Sequence, residues 1–324
     1  MTRVTARTAG SRRVPDSLRW GIGLAFATAL ISGISIFINS FAVKQLPDAA
    51  VFTTLKNAVA ALILVGFAAA TVRRADVRAM DRTSWSRLAV IGVVGGSVPF
   101  LLFFSGLAMA SAPSAAFIHK TLFVWVAIMA VPFLGERLGR AQIAALAVLI
   151  GAQFLVVPPN GVVWGMGETM IAAATLLWAA EAVLAKRLLG SVPSQVVGAG
   201  RLGIGLVVLG GYLLVSGKAG TIGALSGEQW AWVLGTGALL FGYVGTWYAA
   251  LKRAPASLVA AILVVGAPIT ATLQVLQKGA LPAMPVFAGQ LLIGLAAIAL
   301  AVYALRASRE SAPTPGSSSA TAGA

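Results

Sequence analysis

Six ionisable side chains stand inside stretches of sequence that are otherwise strongly apolar: Lys56, His119, Lys120, Glu168, Glu181 and Arg201. At the centre of a lipid bilayer each would cost about 2.5–3.5 kcal/mol, so such groups face a wet cavity or a partner. Their chemistry is ion recognition. Lys56, Lys120 and Arg201 would attract an anion or a carboxylate, with Glu168 or Glu181 as counter-charge or proton carrier. The same residues also allow a plainer arrangement, in which Lys56 or Lys120 pairs with Glu168, and Arg201 with Glu181, to hold helices in register. His119 is the single histidine; unless shifted, an imidazole titrates in the physiological range, so it could relay protons, or could serve a helix contact through a hydrogen bond. Bond-making chemistry has little to work with. With no Cys and one His there is no thiolate nucleophile, no HExxH motif and no His-rich metal cluster. Gly165-Met166-Gly167 lacks the Lys-Ser/Thr and the strand context of a phosphate loop. Neither catalytic residues nor a metal or cofactor are expected.

The segments that must position these residues fill most of the chain. Its 324 residues are 59% hydrophobic and 10% charged, with a mean hydropathy of +0.91, whereas soluble proteins carry about 25% charged residues. That much apolar surface excludes a water-soluble domain and a disordered chain alike. A helix of about 20 apolar residues spans a bilayer. The sequence predicts an all-α polytopic membrane protein with ten such spans, near 20–43, 50–72, 88–109, 113–134, 141–157, 163–185, 194–216, 229–250, 255–277 and 283–305. The first is too long for the apolar part of a cleaved signal. Residues 1–17 and 307–324 read as disordered cytoplasmic tails.

A net charge of +15 would suit a nucleic-acid partner if it were gathered on one soluble face. It is spread instead over short inter-span segments. Of the 24 Lys and Arg residues, 18 fall on one side of the spans, 3 on the other and 3 within them. By the positive-inside rule both termini are expected in the cytoplasm, in the cell (cytoplasmic or inner) membrane, with no nucleic acid bound.

The chain also repeats itself. Trp20-Gly21-Ile22-Gly23 matches Trp164-Gly165-Met166-Gly167, and Leu107–Gly135 lies over Leu251–Gly279 without a gap, both at a shift of 144 residues. Five spans per copy is an odd number, so the second copy, 158–306, would enter the membrane from the side opposite to the first, 18–157. The repeat relates Lys56 to Arg201 and Asn39 to Glu181, whereas His119 and Lys120 fall on Leu263 and Val264. Glu168 and Glu181 are 13 residues apart and point about 140° apart around a helix, so the repeat favours Glu181 for a cavity. Trp178, Tyr243, Trp247 and Trp125 could line that cavity or simply pack. Gly92–Gly96, Gly198–Gly205 and Gly235–Gly245 allow close helix approach and, with Pro99 and Pro268, could act as hinges.

With these features the chain resembles the EamA-like branch of the drug/metabolite transporter superfamily. Phe133-Leu134-Gly135-Glu136-Arg137-Leu138, followed by Gln142 and Gly151, is similar to that family's motif between the fourth and fifth spans, and Gly266-Ala267-Pro268 to its mid-span proline. Val124 in place of the first copy's proline and Ala280 in place of a Glu after Gly279 depart from the pattern. The resemblance, over residues 18–306, implies a secondary transporter that exports a small polar metabolite by alternating access. Asn39, Lys56, Lys120, Trp178, Glu181 and Arg201 would contact an amino acid, organic acid or other carboxylate-bearing compound, and His119 and Glu168 would be the candidates for proton coupling. The expected partners are that small molecule and the lipid bilayer, with a homodimer left open.

Overall fold

The computed structural model describes residues 16–110, 112–156, 164–279 and 281–310; Ala280 and most of both expected tails lie outside them. Among the described residues the chain is helical throughout, with no strand. The first half contains α1 (Asp16–Gln45), α2 (Ala49–Thr71), the short α3 (Arg74–Arg78), α4 (Arg82–Gly96), α5 (Val98–Met109), α6 (Ala112–Lys120), α7 (Leu122–Leu134) and α8 (Arg140–Val156). The second contains α9 (Met166–Leu188), α10 (Ser194–Val215), a 3₁₀ segment (Lys218–Ala224), α11 (Gly227–Arg253), α12 (Ala256–Leu263), α13 (Gly266–Lys278) and α14 (Met284–Glu310). Asp16 and Ser17, and residues 307–310, were expected in the tails and instead extend α1 and α14.

Ten spans were expected. Eight helical stretches among the described residues are long and apolar enough to cross a membrane. The other two are α8, which has 17 residues, and α11, whose 27 residues are diluted by Gly, Trp, Tyr and Thr. Three of the eight are broken in the middle. α4 gives way to α5 at Ser97, two residues before Pro99, whose ring cannot continue the preceding turn. Ser97 Oγ donates to Val93 O at 2.9 Å, the same carbonyl that accepts the Ser97 N–H at the end of α4. α12 gives way to α13 at Val264–Val265, ahead of Pro268. α6 and α7 part at Thr121 with Val124 where a proline was looked for; the Thr121 hydroxyl donates to Ile118 O at 2.7 Å.

Local chemistry sets the helix ends. The carboxylates of Asp48 and Asp81 accept from Ala50 N (2.7 Å) and Ser84 N (2.9 Å) at the starts of α2 and α4. Ser226 and Gln229 form a reciprocal capping box on α11. α7 and α13 both end on a left-handed glycine, Gly135 (φ 68°) and Gly279 (φ 67°), a conformation a Cβ would strain.

Those two glycines are 144 residues apart, and other helix ends recur at the same spacing: Met109 with Arg253, Leu134 with Lys278, Arg140 with Met284. The packing is reciprocal as well. α2 lies on α10 and α8 on α14; α1 packs on α11, α12 and α13, as α9 packs on α4, α5, α6 and α7. The largest contacts made by one half are thus answered by matching contacts of the other. Gly96 of α4 meets α10 so closely that a Cβ there would strike the Arg201 backbone, which explains the glycine-rich run.

Candidate functional site

A cavity of about 160 Å³ lies among helices of both halves. Asn39 of α1, Lys56 of α2, Phe100, Phe103 and Phe104 of α5 and His119 of α6 line it from the first half. Trp178 and Glu181 of α9, Arg201 of α10, Tyr243 and Trp247 of α11 and Thr270 and Gln274 of α13 line it from the second. Six of the eight residues expected to form a site therefore converge here. Lys120 and Glu168 are absent from the lining.

Each half contributes a cation, an acceptor and a ring. In the first, Lys56 Nζ donates to Asn39 Oδ1 at 3.3 Å and lies 4.0 Å from the centroid of the Phe104 ring. Phe52 and Phe100 face the same ammonium at 5.1 and 5.8 Å. The negative faces of three rings stabilise a desolvated cation, yet among the described residues no carboxylate pairs with Lys56, which is only 3% exposed. In the second half, Arg201 Nη2 is 3.8 Å from Glu181 Oε2 and donates to Gly95 O at 3.0 Å. Tyr248 OH donates to the other Glu181 oxygen, and the Arg201 guanidinium lies 5.8 Å from the Tyr248 ring. Arg201 Nε and Nη1 have no hydrogen-bond partner among the described residues. Both cations flank Phe100, 5.8 and 5.7 Å from its centroid, so one small molecule can reach both.

The three members correspond through the repeat: Lys56 with Arg201, Asn39 with Glu181, and Phe104 with Tyr248. The sequence reading paired the first two and missed the third, along with Phe52 and Phe100. The ungapped match that begins at Leu107 and Leu251 needed only three more residues to expose it.

Trp178 donates its Nε1 proton to Gly95 O at 3.0 Å and packs against Phe100 and Phe103. His119 sits between Phe103 and Trp178, with ring centroids 5.0 and 5.2 Å away. Lys120 is buried beside Gly266, where α12 breaks, and its Nζ has no hydrogen-bond partner among the described residues. Glu168 turns back to accept from Gly165 N at 3.0 Å, closing the first turn of α9 rather than meeting Lys56 or Lys120. Among the described residues no three His, Asp or Glu side chains gather as a metal would require.

At one end of the bundle, helix termini are tied together by contacts between the halves and by others within the second half. Glu136, just after α7, accepts from Ala256 N (2.6 Å), Ser257 N (3.2 Å) and Ser257 Oγ (2.5 Å) at the start of α12. Arg187 Nε donates to Phe133 O at 2.8 Å, and Lys186 Nζ to Leu251 O and Ala254 O at 2.6 and 2.9 Å. At the opposite end Lys218 Nζ meets Asp48 Oδ2 at 2.7 Å, and Gln229 Nε2 donates to Gln45 O at 2.7 Å.

The profile of the EamA-like transporter family matches residues 19–157 and again 165–305. The chain belongs to this family. It is therefore a multi-pass membrane protein of a transporter family, and the two matched segments coincide with the two halves that answer each other in packing. A solved structure titled "Crystal structure of protein" shares 16% identity over 87% of this EamA-like chain and 98% of its own, with a TM-score of 0.73; at that identity it supports the fold alone. No curated protein matches the sequence significantly.

Proposed function

We propose that this EamA-like protein is a secondary transporter that exports a small carboxylate-bearing metabolite by alternating access through the cavity. The observation that carries the reading is the presence, in that cavity, of two repeat-related cations, one of them without a carboxylate partner among the described residues. An ammonium held by a neutral amide and aromatic rings is a site waiting for negative charge. The chain shows no nucleotide-binding motif, so a gradient supplies the energy.

In this reading the protein has ten spans arranged as two inverted five-helix repeats. At 1.5 Å per residue the 17 residues of α8 cover about 26 Å, the lower limit for a span, and α11 is amply long. Inversion is supported at Ala254: Gly21, at the start of α1, abuts it, and so does Lys186, at the end of the corresponding helix α9. The Glu136 end, where the basic residues concentrate, then faces the cytoplasm together with both termini. The reciprocal packing of the halves supports a rocking of one against the other.

A thermal-shift screen of amino acids, organic acids and sugar phosphates on purified protein tests the substrate class. Stabilisation by carboxylates in the wild type, lost in Lys56→Ala and Arg201→Ala variants that remain folded in the membrane, is expected. Stabilisation by sugar phosphates alone, or unchanged stabilisation in both variants, would remove the carboxylate site.

A further inference from the structure

Among the described residues three charged side chains line the cavity: Lys56 and Arg201 are cations, and Glu181 is an anion. Arg201 and Glu181 compensate each other at 3.8 Å. Lys56 is left with the neutral Asn39 amide and three rings, while His119 packs on Phe103 and Trp178. A buried ion without a counter-ion costs several kcal/mol, so the occupant that best fits supplies one negative charge and no positive one. A zwitterion would place its ammonium in a cavity whose single carboxylate is already engaged by Arg201 and Tyr248. Lys120 is buried outside the lining, beside Gly266, so against the lining groups a dianion would bring one charge too many.

Size and wall chemistry narrow the class further. A dry cavity of about 150 Å³ holds benzene, and this one is about 160 Å³. Phe100, Phe103, Trp178 and Trp247 give it apolar faces. We propose that the preferred substrate is a monoanion with a ring-sized apolar body, an aromatic or branched aliphatic monocarboxylate. Its carboxylate sits on Lys56 and the free Arg201 N–H groups, and its body lies against the aromatic wall. This rests on the transporter reading above and adds a rule of selection: zwitterionic amino acids and dicarboxylates are rejected.

Four probes that share a benzene ring test the rule by competition against radiolabelled benzoate on the purified full-length protein at pH 7. They are benzoate (monoanion), phenylalanine (zwitterion), phthalate (dianion) and benzyl alcohol (neutral). Benzoate is expected to bind at least about tenfold more tightly than each of the others, one step of about 1.4 kcal/mol. Asn39→Asp, which gives Lys56 the partner Arg201 already has, is expected to weaken benzoate at least about tenfold and to abolish its lead over benzyl alcohol. Glu181→Gln frees Arg201 and is expected to favour phthalate. Phenylalanine or phthalate binding as tightly as benzoate to the wild type would overturn the monoanion rule and leave the carboxylate transporter standing. Benzoate binding that Lys56→Ala does not change would overturn both, as would no binding by any probe. The wild-type ranking decides the matter even if a variant fails to fold.

Discussion

The two halves build the same three-part arrangement and fill it differently. Lys56, Asn39 and Phe104 stand against Arg201, Glu181 and Tyr248. In the second half the acceptor is a carboxylate and the ring carries a hydroxyl, so the guanidinium is neutralised and the carboxylate is hydrogen-bonded. In the first, both changes are absent, and among the described residues no carboxylate stands beside the Lys56 amine. A single difference in acceptor, amide against carboxylate, separates a self-contained ion pair from a cation that needs an occupant. The same scaffold thus supplies rigidity on one side of the cavity and attraction on the other.

The sharpest way to break this contrast is to remove each cation in turn. Arg201→Met strands the Glu181 carboxylate in the interior and is expected to cost about 3–5 kcal/mol, the usual penalty for halving a buried pair. Lys56→Met removes a charge that has no carboxylate partner and is expected to be neutral or stabilising in chemical denaturation, while eliminating ligand-induced stabilisation. Equal destabilisation by both would mean that the halves are not electrostatically distinct. Tyr248→Phe makes the second ring like the first; losing a hydrogen bond to a buried charged group is expected to cost about 1.5–3 kcal/mol, measured in the same assay.

Smaller effects concern the two ends of the bundle. Glu136→Ala removes three hydrogen bonds from the start of α12 and is expected to cost about 1–2 kcal/mol, in the range of a lost helix cap. At the opposite end Asp48 titrates below its ordinary value: partial burial opposes the shift, but the Lys218 ammonium and the Ala50 N–H outweigh it. A carboxyl depressed in the folded state stabilises above its unfolded pKa, and that contribution disappears as pH falls through the folded value. The pair is about one-third exposed, so Asp48→Asn, which keeps a helix cap, is expected to lose only about 0.2–1 kcal/mol at pH 7. The gap from the wild type is expected to narrow as the pH falls through the depressed folded value, read from melting curves at neutral and acidic pH.

Much of this was legible in the sequence because the repeat is written in punctuation that survives divergence. Trp-Gly pairs, Gly135 and Gly279, and the embedded cations mark corresponding places, and from them came the cavity's Lys56, Asn39, Glu181 and Arg201. What escaped was set by geometry that spacing does not encode. Phe52 and Phe100 read as ordinary core residues until a cation lies against them. Glu136 reaches a helix start 120 residues away, and the break at Thr121 has no proline to announce it. Glu168 seemed a buried charge in search of a partner because its local role, three residues after Gly165, competes with a long-range one.

Flux of benzenesulfonate into proteoliposomes tests the central claim most directly, because this monoanion cannot cross a bilayer by taking up a proton. Saturable counterflow in the wild type that falls to the protein-free rate in Lys56→Met and in Asn39→Asp is the expected result. Wild-type flux no faster than empty vesicles, or undiminished flux in both variants, would contradict it.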